Sequence, residues 1–202
     1  MIHGPTSQTY ISQRLRLHYV DWGNETAPPL ILLHGGRDHC RSWDWVAQEL
    51  RKDWHVIAPD LRGHGDSAWS ADGEYSARAC LYDFAQLIHQ KKLAPVTIVA
   101  HSYGGNIALR YSGIYPDNVR KLVAIEGLGP YDMAQEDVEQ LWGEITCPTL
   151  LLYGEKSWAS NPAEDGRIEK FNTATVKLYK DAGHWLHHDK FEQFMGDLKA
   201  FL

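Results

Sequence analysis

One serine stands where a nucleophile could. In Thr97-Ile98-Val99-Ala100-His101-Ser102-Tyr103-Gly104-Gly105-Asn106 a β-branched apolar run stops at a small-residue turn with Ser102 at its apex. Helix-forming residues (Ile107, Ala108, Leu109, Arg110) follow at once. A strand, a sharp turn and a helix in that order can thrust a hydroxyl out at the end of a sheet. The spacing is that of G-x-S-x-G, with Ala100 in place of the first glycine at a position that needs a small side chain. A serine hydroxyl is a poor nucleophile until a base takes its proton, and the base needs an acid to orient it and stabilise its cation. Short runs of this kind are common by chance, so the reading of Ser102 depends on partners elsewhere in the chain.

The elements that must position these groups follow from periodicity. Residues 8–22 alternate apolar and polar (Tyr10, Ile11, Leu15, Leu17, Tyr19 against Arg14, Arg16, His18), which predicts a half-exposed edge hairpin. Leu30–Leu33 is a continuous apolar run, as for a central strand covered on both faces, and it ends at His34-Gly35-Gly36-Arg37. Ser42 is placed to cap a helix through Trp45, Val46 and Leu50. The next buried strand, Trp54–Pro59, leads into Asp60-Leu61-Arg62-Gly63-His64-Gly65-Asp66-Ser67, whose charges read as turn chemistry. Ser76 to Lys91 carries a helical apolar stripe. Strands are expected at 119–125, 148–154 and 175–179, a helix start at Asn161-Pro162-Ala163-Glu164, and a closing amphipathic helix at 191–202. Strands alternating with helices imply an α/β fold with a doubly wound, mostly parallel sheet, preceded by an antiparallel hairpin.

His-Gly-Gly, Pro-Asp-x-Arg-Gly-His-Gly, small-x-Ser-x-Gly-Gly and a late Gly183-His184, in that order, resemble the α/β-hydrolase family over nearly the whole chain. The resemblance implies Ser102 as nucleophile, the amides of Gly36 and Tyr103 as oxyanion donors, and His184 as base. Many relatives place the acid just after the Leu-Leu-Leu-Tyr-Gly strand, but Ser157 occupies that site here. A second family solution puts it at the end of the preceding strand, where Glu126 stands; Asp165 and Glu155 are the alternatives. Arg37, Trp43, Trp158 and Trp185, with Asp38 and His39, are expected at the cleft, and His34 and His101 as packing or bracing residues. The His184, His187, His188, Asp189 cluster could ligate a metal, but relatives carry such turns without one. No metal or organic cofactor is expected.

Relatives usually carry a helical lid of several dozen residues after Pro130, whereas a short connection of about 127–147 intervenes here. Either a naturally lidless hydrolase or a core from which the lid was removed has this pattern. The expectation is a single domain, 1–202, working as a carboxylesterase on small, accessible esters through an acyl-enzyme. A serine in place of aspartate argues against epoxide opening and dehalogenation. Hydrolysis of C–C bonds or lactones, and a weakly active or non-catalytic ligand-binding scaffold, are the alternatives.

Composition sets the outer limits. A net charge of −6 with no basic cluster excludes a phosphate-tracking surface, so no nucleic-acid partner is expected. Three widely spaced cysteines (Cys40, Cys80, Cys147) form no zinc or disulfide pattern and fit a reducing compartment. The start of the chain, Met1 to Pro5, lacks signal-peptide architecture, and no apolar run approaches a membrane span. A cytoplasmic protein, monomeric or weakly self-associating through surface that a lid would cover, is the expectation.

Overall fold

The computed structural model describes residues 4–202, so Met1–His3 of the chain start considered above lie outside the described residues. Among the described residues, eight strands form one sheet: β1 (Thr6–Ser12), β2 (Leu15–Asp21), β3 (Pro29–Leu33), β4 (His55–Pro59), β5 (Val96–His101), β6 (Val119–Ile125), β7 (Thr149–Gly154) and β8 (Ala174–Tyr179). Their spatial order is β1-β2-β4-β3-β5-β6-β7-β8. The β1–β2 and β2–β4 pairs are antiparallel, and every pair from β4 to β8 is parallel. Gln13 and Arg14, both at positive φ, make the tight turn between β1 and β2, the backbone that matches the twist of a hairpin.

Among the described residues, six α-helices pack on the sheet: α1 (Asp44–Leu50), α2 (Ala77–Gln90), α3 (Ser102–Ile114), α4 (Gln135–Gly143), α5 (Leu186–Asp189) and α6 (Phe191–Phe201). The pleat sorts the strand side chains into two cores. Ile31, Leu33, Ile57, Ile98 and Ala100 face α2, α3 and α4, while Leu30, Leu32, Val56, Ala58 and Val99 face α1 and α6. All three cysteines are buried and unpaired. Among the described residues, no helix is long and apolar enough to cross a membrane.

Three local expectations are corrected. Of the two hairpin strands only β1 is a half-exposed edge; β2 lies second in the sheet, and His18 on it is buried, its ring bonded to Ser7 Oγ (2.8 Å) and Asp60 Oδ2 (2.7 Å). Ser42 does not cap α1: its hydroxyl donates to Asp38 Oδ2 (3.0 Å) and to the His39 carbonyl (2.9 Å) within a 3-10 turn that precedes the helix. Asn161 starts a turn and not a helix. Its side chain accepts from the Ala163 amide (3.1 Å), and Gly166 then turns left-handed (φ +82°), so the chain reaches only a 3-10 turn at Arg167–Lys170. A favourable capping sequence with no apolar stripe behind it has nothing to bury, and the turn wins.

Two glycines bring α3 against its neighbours. A Cβ on Gly104 would lie within 2.3 Å of the His34 carbonyl oxygen, and one on Gly105 within 2.8 Å of the Gly127 Cα. The helix thus rests directly on the loops leaving β3 and β6. Gly104→Ala should therefore push these loops apart and destabilise the fold by about 1–3 kcal/mol, the usual cost of overpacking. A thermal melt unchanged by the substitution would refute that close approach.

Candidate active site

The carboxyl ends of β3, β5, β6 and β7 converge on one edge of the sheet, where the strand order reverses on either side of β3. In open α/β sheets the ligand crevice lies outside such strand ends. Ser102 sits at the β5–α3 junction with φ +52°, a left-handed conformation that a serine adopts only when its surroundings enforce it. It is half-buried, and a Cβ on Gly35 would lie 3.0 Å from the Ser102 Cβ. Tyr103 opens the first turn of α3, where backbone N–H groups have no intrahelical acceptor. Gly36 lies beside it, the position of a Gly36 Cβ falling 4.0 Å from the Tyr103 Cβ.

Glu126 follows β6 directly, also at positive φ (+51°), and is 3% exposed. Its Oε1 accepts from the Gly154 amide (2.8 Å). Its Oε2 accepts from the Ser157 hydroxyl (2.5 Å) and from His184 Nδ1 (2.5 Å). With Nδ1 donating to the carboxylate, Nε2 is the ring nitrogen of His184 left to exchange protons. Asp165 and Glu155 are engaged elsewhere. Asp165 pairs with Arg167 (2.7 Å), which holds its carboxyl down at about 2, and Glu155 accepts from the Asp181 amide (2.9 Å). Ser157, at the position where many relatives carry the acid, instead supplies a hydrogen bond to the carboxylate that pairs with His184.

Indoles and imidazoles surround the His184 ring. Trp158 lies 4.8 Å away between centroids and Trp185 5.0 Å away, both largely exposed. His101, next to Ser102 in the chain, sits 4.6 Å from the same ring and donates through Nε2 to the His184 carbonyl (2.9 Å). Trp43 is a correction: it is fully buried in the core with α1 and stacks on His187 at 4.8 Å, so no face of it is open to line a cleft. Its indole is large enough to fill the core at the helix base, and loop position alone does not reveal that. Arg37 is exposed on the turn, with its amide donating to His64 Nε2 (3.1 Å), while Asp38 and His39 brace the same turn through Ser42. His34 braces from below, accepting from the Leu61 amide at Nε2 (3.0 Å).

Tyr131 was missed by sequence reasoning. It lies in the short connection after β6, at φ +48°, with its ring 5.3 Å from that of Tyr103. Burial raises its phenol above the ordinary value, while the Ser102 hydroxyl beside it pulls the other way. Arg110, with its guanidinium buried, fixes this segment by bonding Asp132 Oδ1 (2.7 Å) and the Pro130 carbonyl (2.5 Å). No local motif marks a tyrosine that an arginine twenty residues away holds in place.

The late histidines do not converge as ligands. His184 Nδ1 serves Glu126, Asp189 accepts from the Gly183 amide (2.8 Å), and His187 is stacked on Trp43 and tilted against His101. Among the described residues, His18, Cys40 and Asp60 are the one group of three close potential ligands. That group is spent on the fold: Asp60 accepts from the Cys40 and Asp66 amides and from His18, and burial beside Asp60 pushes the Cys40 thiol up, away from the thiolate a metal requires.

The α/β hydrolase fold profile matches residues 28–142. The chain belongs to the α/β-hydrolase family. It is 30% identical over 159 residues to an esterase of Mycobacterium tuberculosis, covering 79% of this chain and 51% of that protein. Epoxide hydrolase 4 of Mus musculus is 33% identical over 112 residues, which are 55% of this chain and 31% of the relative. A serine hydrolase-like protein of Danio rerio is 30% identical over 109 residues, 54% of this chain and 33% of the relative. The chain thus spans about half or less of the length of these curated relatives. Among solved structures, the thioesterase domain from the curacin biosynthetic pathway superposes with a TM-score of 0.87 at 17% identity, over 96% of this chain and 98% of that one. A bacterial membrane phospholipase A also reaches 0.87 at 19% identity, over 98% of this chain and 86% of that one. At these identities the superpositions establish the shared fold of this α/β hydrolase.

Burial makes the supporting histidines acid-sensitive. His34 and His101 are each pushed down to about 4, and His187 lies well below its ordinary value, all chiefly by desolvation. An unfolded chain would protonate these rings near ~6.5. Between there and about 4 the unfolded state binds more protons than the folded state, so stability falls as pH is lowered through that window. The melting temperature should drop steadily from pH 6.5 to 4.5, and His187→Phe, which keeps a ring on Trp43, should make that drop shallower. An equal slope in wild type and variant would rule out His187 as a contributor.

Proposed function

We propose that this α/β hydrolase is a serine hydrolase that cleaves small, accessible carboxylic esters through an acyl-enzyme. The carrying observation is the buried Glu126–His184 pair, set at the same sheet edge as the strained Ser102. In this reading Ser102 Oγ attacks the ester carbonyl carbon while its proton passes to His184 Nε2. The imidazolium is stabilised by Glu126, and the oxyanion is held by the N–H groups of Gly36 and Tyr103. The carbon–oxygen bond to the alcohol breaks as His184 returns the proton to the leaving oxygen. Water then repeats the sequence, releasing the acid and restoring Ser102. A serine at the nucleophile position fits the esterase and serine hydrolase-like relatives better than the epoxide hydrolase. No step calls on a metal or cofactor. Trp158, Trp185 and Arg37 would line the substrate's approach.

A second reading, a weakly active scaffold, is favoured by one feature. The connection between β6 and β7 contains only the nine-residue α4, so few walls stand over Ser102 to position a substrate. Hydrolysis of p-nitrophenyl acetate separates the two. Ser102→Ala should abolish turnover above background, and Glu126→Gln should lower kcat by about 10²–10⁴, as when a triad acid is neutralised. Asp165→Asn should leave the rate unchanged. Full activity in Glu126→Gln would remove the glutamate from the mechanism, and a wild-type protein that neither turns over nor reacts with a fluorophosphonate would favour the scaffold.

A further inference from the structure

We propose that Trp158 and Trp185 form a slot for the alcohol half of the ester, so that the preferred substrates are esters of neutral aromatic alcohols. The inference rests on the serine-hydrolase reading above and deepens it. In that chemistry the leaving oxygen must come within hydrogen-bond reach of His184 Nε2 to take its proton. The first atoms of the departing alcohol are therefore tied to the imidazole, and whatever surrounds the imidazole surrounds them.

Two indoles do. Trp158 is tilted 35° to the His184 ring at 4.8 Å, and Trp185 stands at 84° to it at 5.0 Å. Trp158 meets the imidazole obliquely and Trp185 nearly edge-on, so each presents aromatic surface beside it that an arene can meet face-on or edge-on, the two arrangements that arenes prefer. Both remain largely uncovered, Trp158 at 77% and Trp185 at 51% exposure, although one side of each is packed against His184. On the neighbouring loop Lys156 pairs with Asp181 (2.7 Å), while Glu155, which accepts from the Asp181 amide, keeps its negative charge. That charge favours an uncharged ring over an anionic one.

Matched acetates test the slot. 2-Phenylethyl and 2-cyclohexylethyl acetate share the acyl group, the spacer and nearly the same alcohol acidity, and differ in aromaticity. We expect wild-type kcat/KM to favour the phenyl ester by about fivefold or more, and Trp158→Leu and Trp185→Leu each to bring that ratio towards one. Free 2-phenylethanol should also inhibit competitively at lower concentration than 2-cyclohexylethanol. A wild-type ratio near one, with both esters hydrolysed, overturns the slot and leaves the esterase standing. A ratio preserved in both variants while all rates fall together overturns it too, because the indoles would then only shield His184. Failure to hydrolyse any acetate overturns both readings.

Discussion

A buried carboxylate holds the site edge together. Removing Glu126 from water is costly, and the cost is offset only because three donors converge on it from three segments: the Gly154 amide at the end of β7, the Ser157 hydroxyl in the loop beyond, and His184 on the turn after β8. Each donor fixes one loop relative to the end of β6. Loss of the carboxylate would leave those donors facing an apolar interior, so the geometry around His184 and the packing of the loops stand or fall together.

Backbone strain is concentrated at the same edge. Ser102 and Glu126 both hold left-handed conformations without being glycine, and each does so immediately after a central strand. Rigid surroundings make this possible. Gly104 rests on the His34 carbonyl and Gly105 on Gly127, so the two strained turns are pressed against each other and against the loop from β3. The strain aims Ser102 out of the sheet while its backbone remains inside the close-packed layer.

The connection after β6 shows how a short segment is kept ordered. Arg110 is buried in α3, yet its guanidinium reaches Asp132 and the Pro130 carbonyl, and α4 then buries Val138 and Trp142. A charge inside the protein is tolerated because it is paired and hydrogen-bonded. Its effect is to hold Tyr131 beside the serine, on a side of the site that the sheet itself does not reach.

The sequence by itself determined the strands, the hairpin and the turn at Ser102, because these follow from local periodicity and from small residues at adjacent positions. The resemblance carried by those turns also pointed to His184 and put Glu126 ahead of Asp165 and Glu155. Only the tertiary structure decided which carboxylate meets His184, since Glu126 and His184 lie 58 residues apart and Asp165 is drawn off by Arg167. It alone sent Trp43 into the core and Tyr131 to the nucleophile, and it stopped the capping sequence at Asn161 from growing into a helix. Ser157 supporting Glu126 was likewise visible only in three dimensions. Side-chain partnership depends on which loops the sheet order brings together, and that order is set by burial across the whole chain and not by neighbours in sequence.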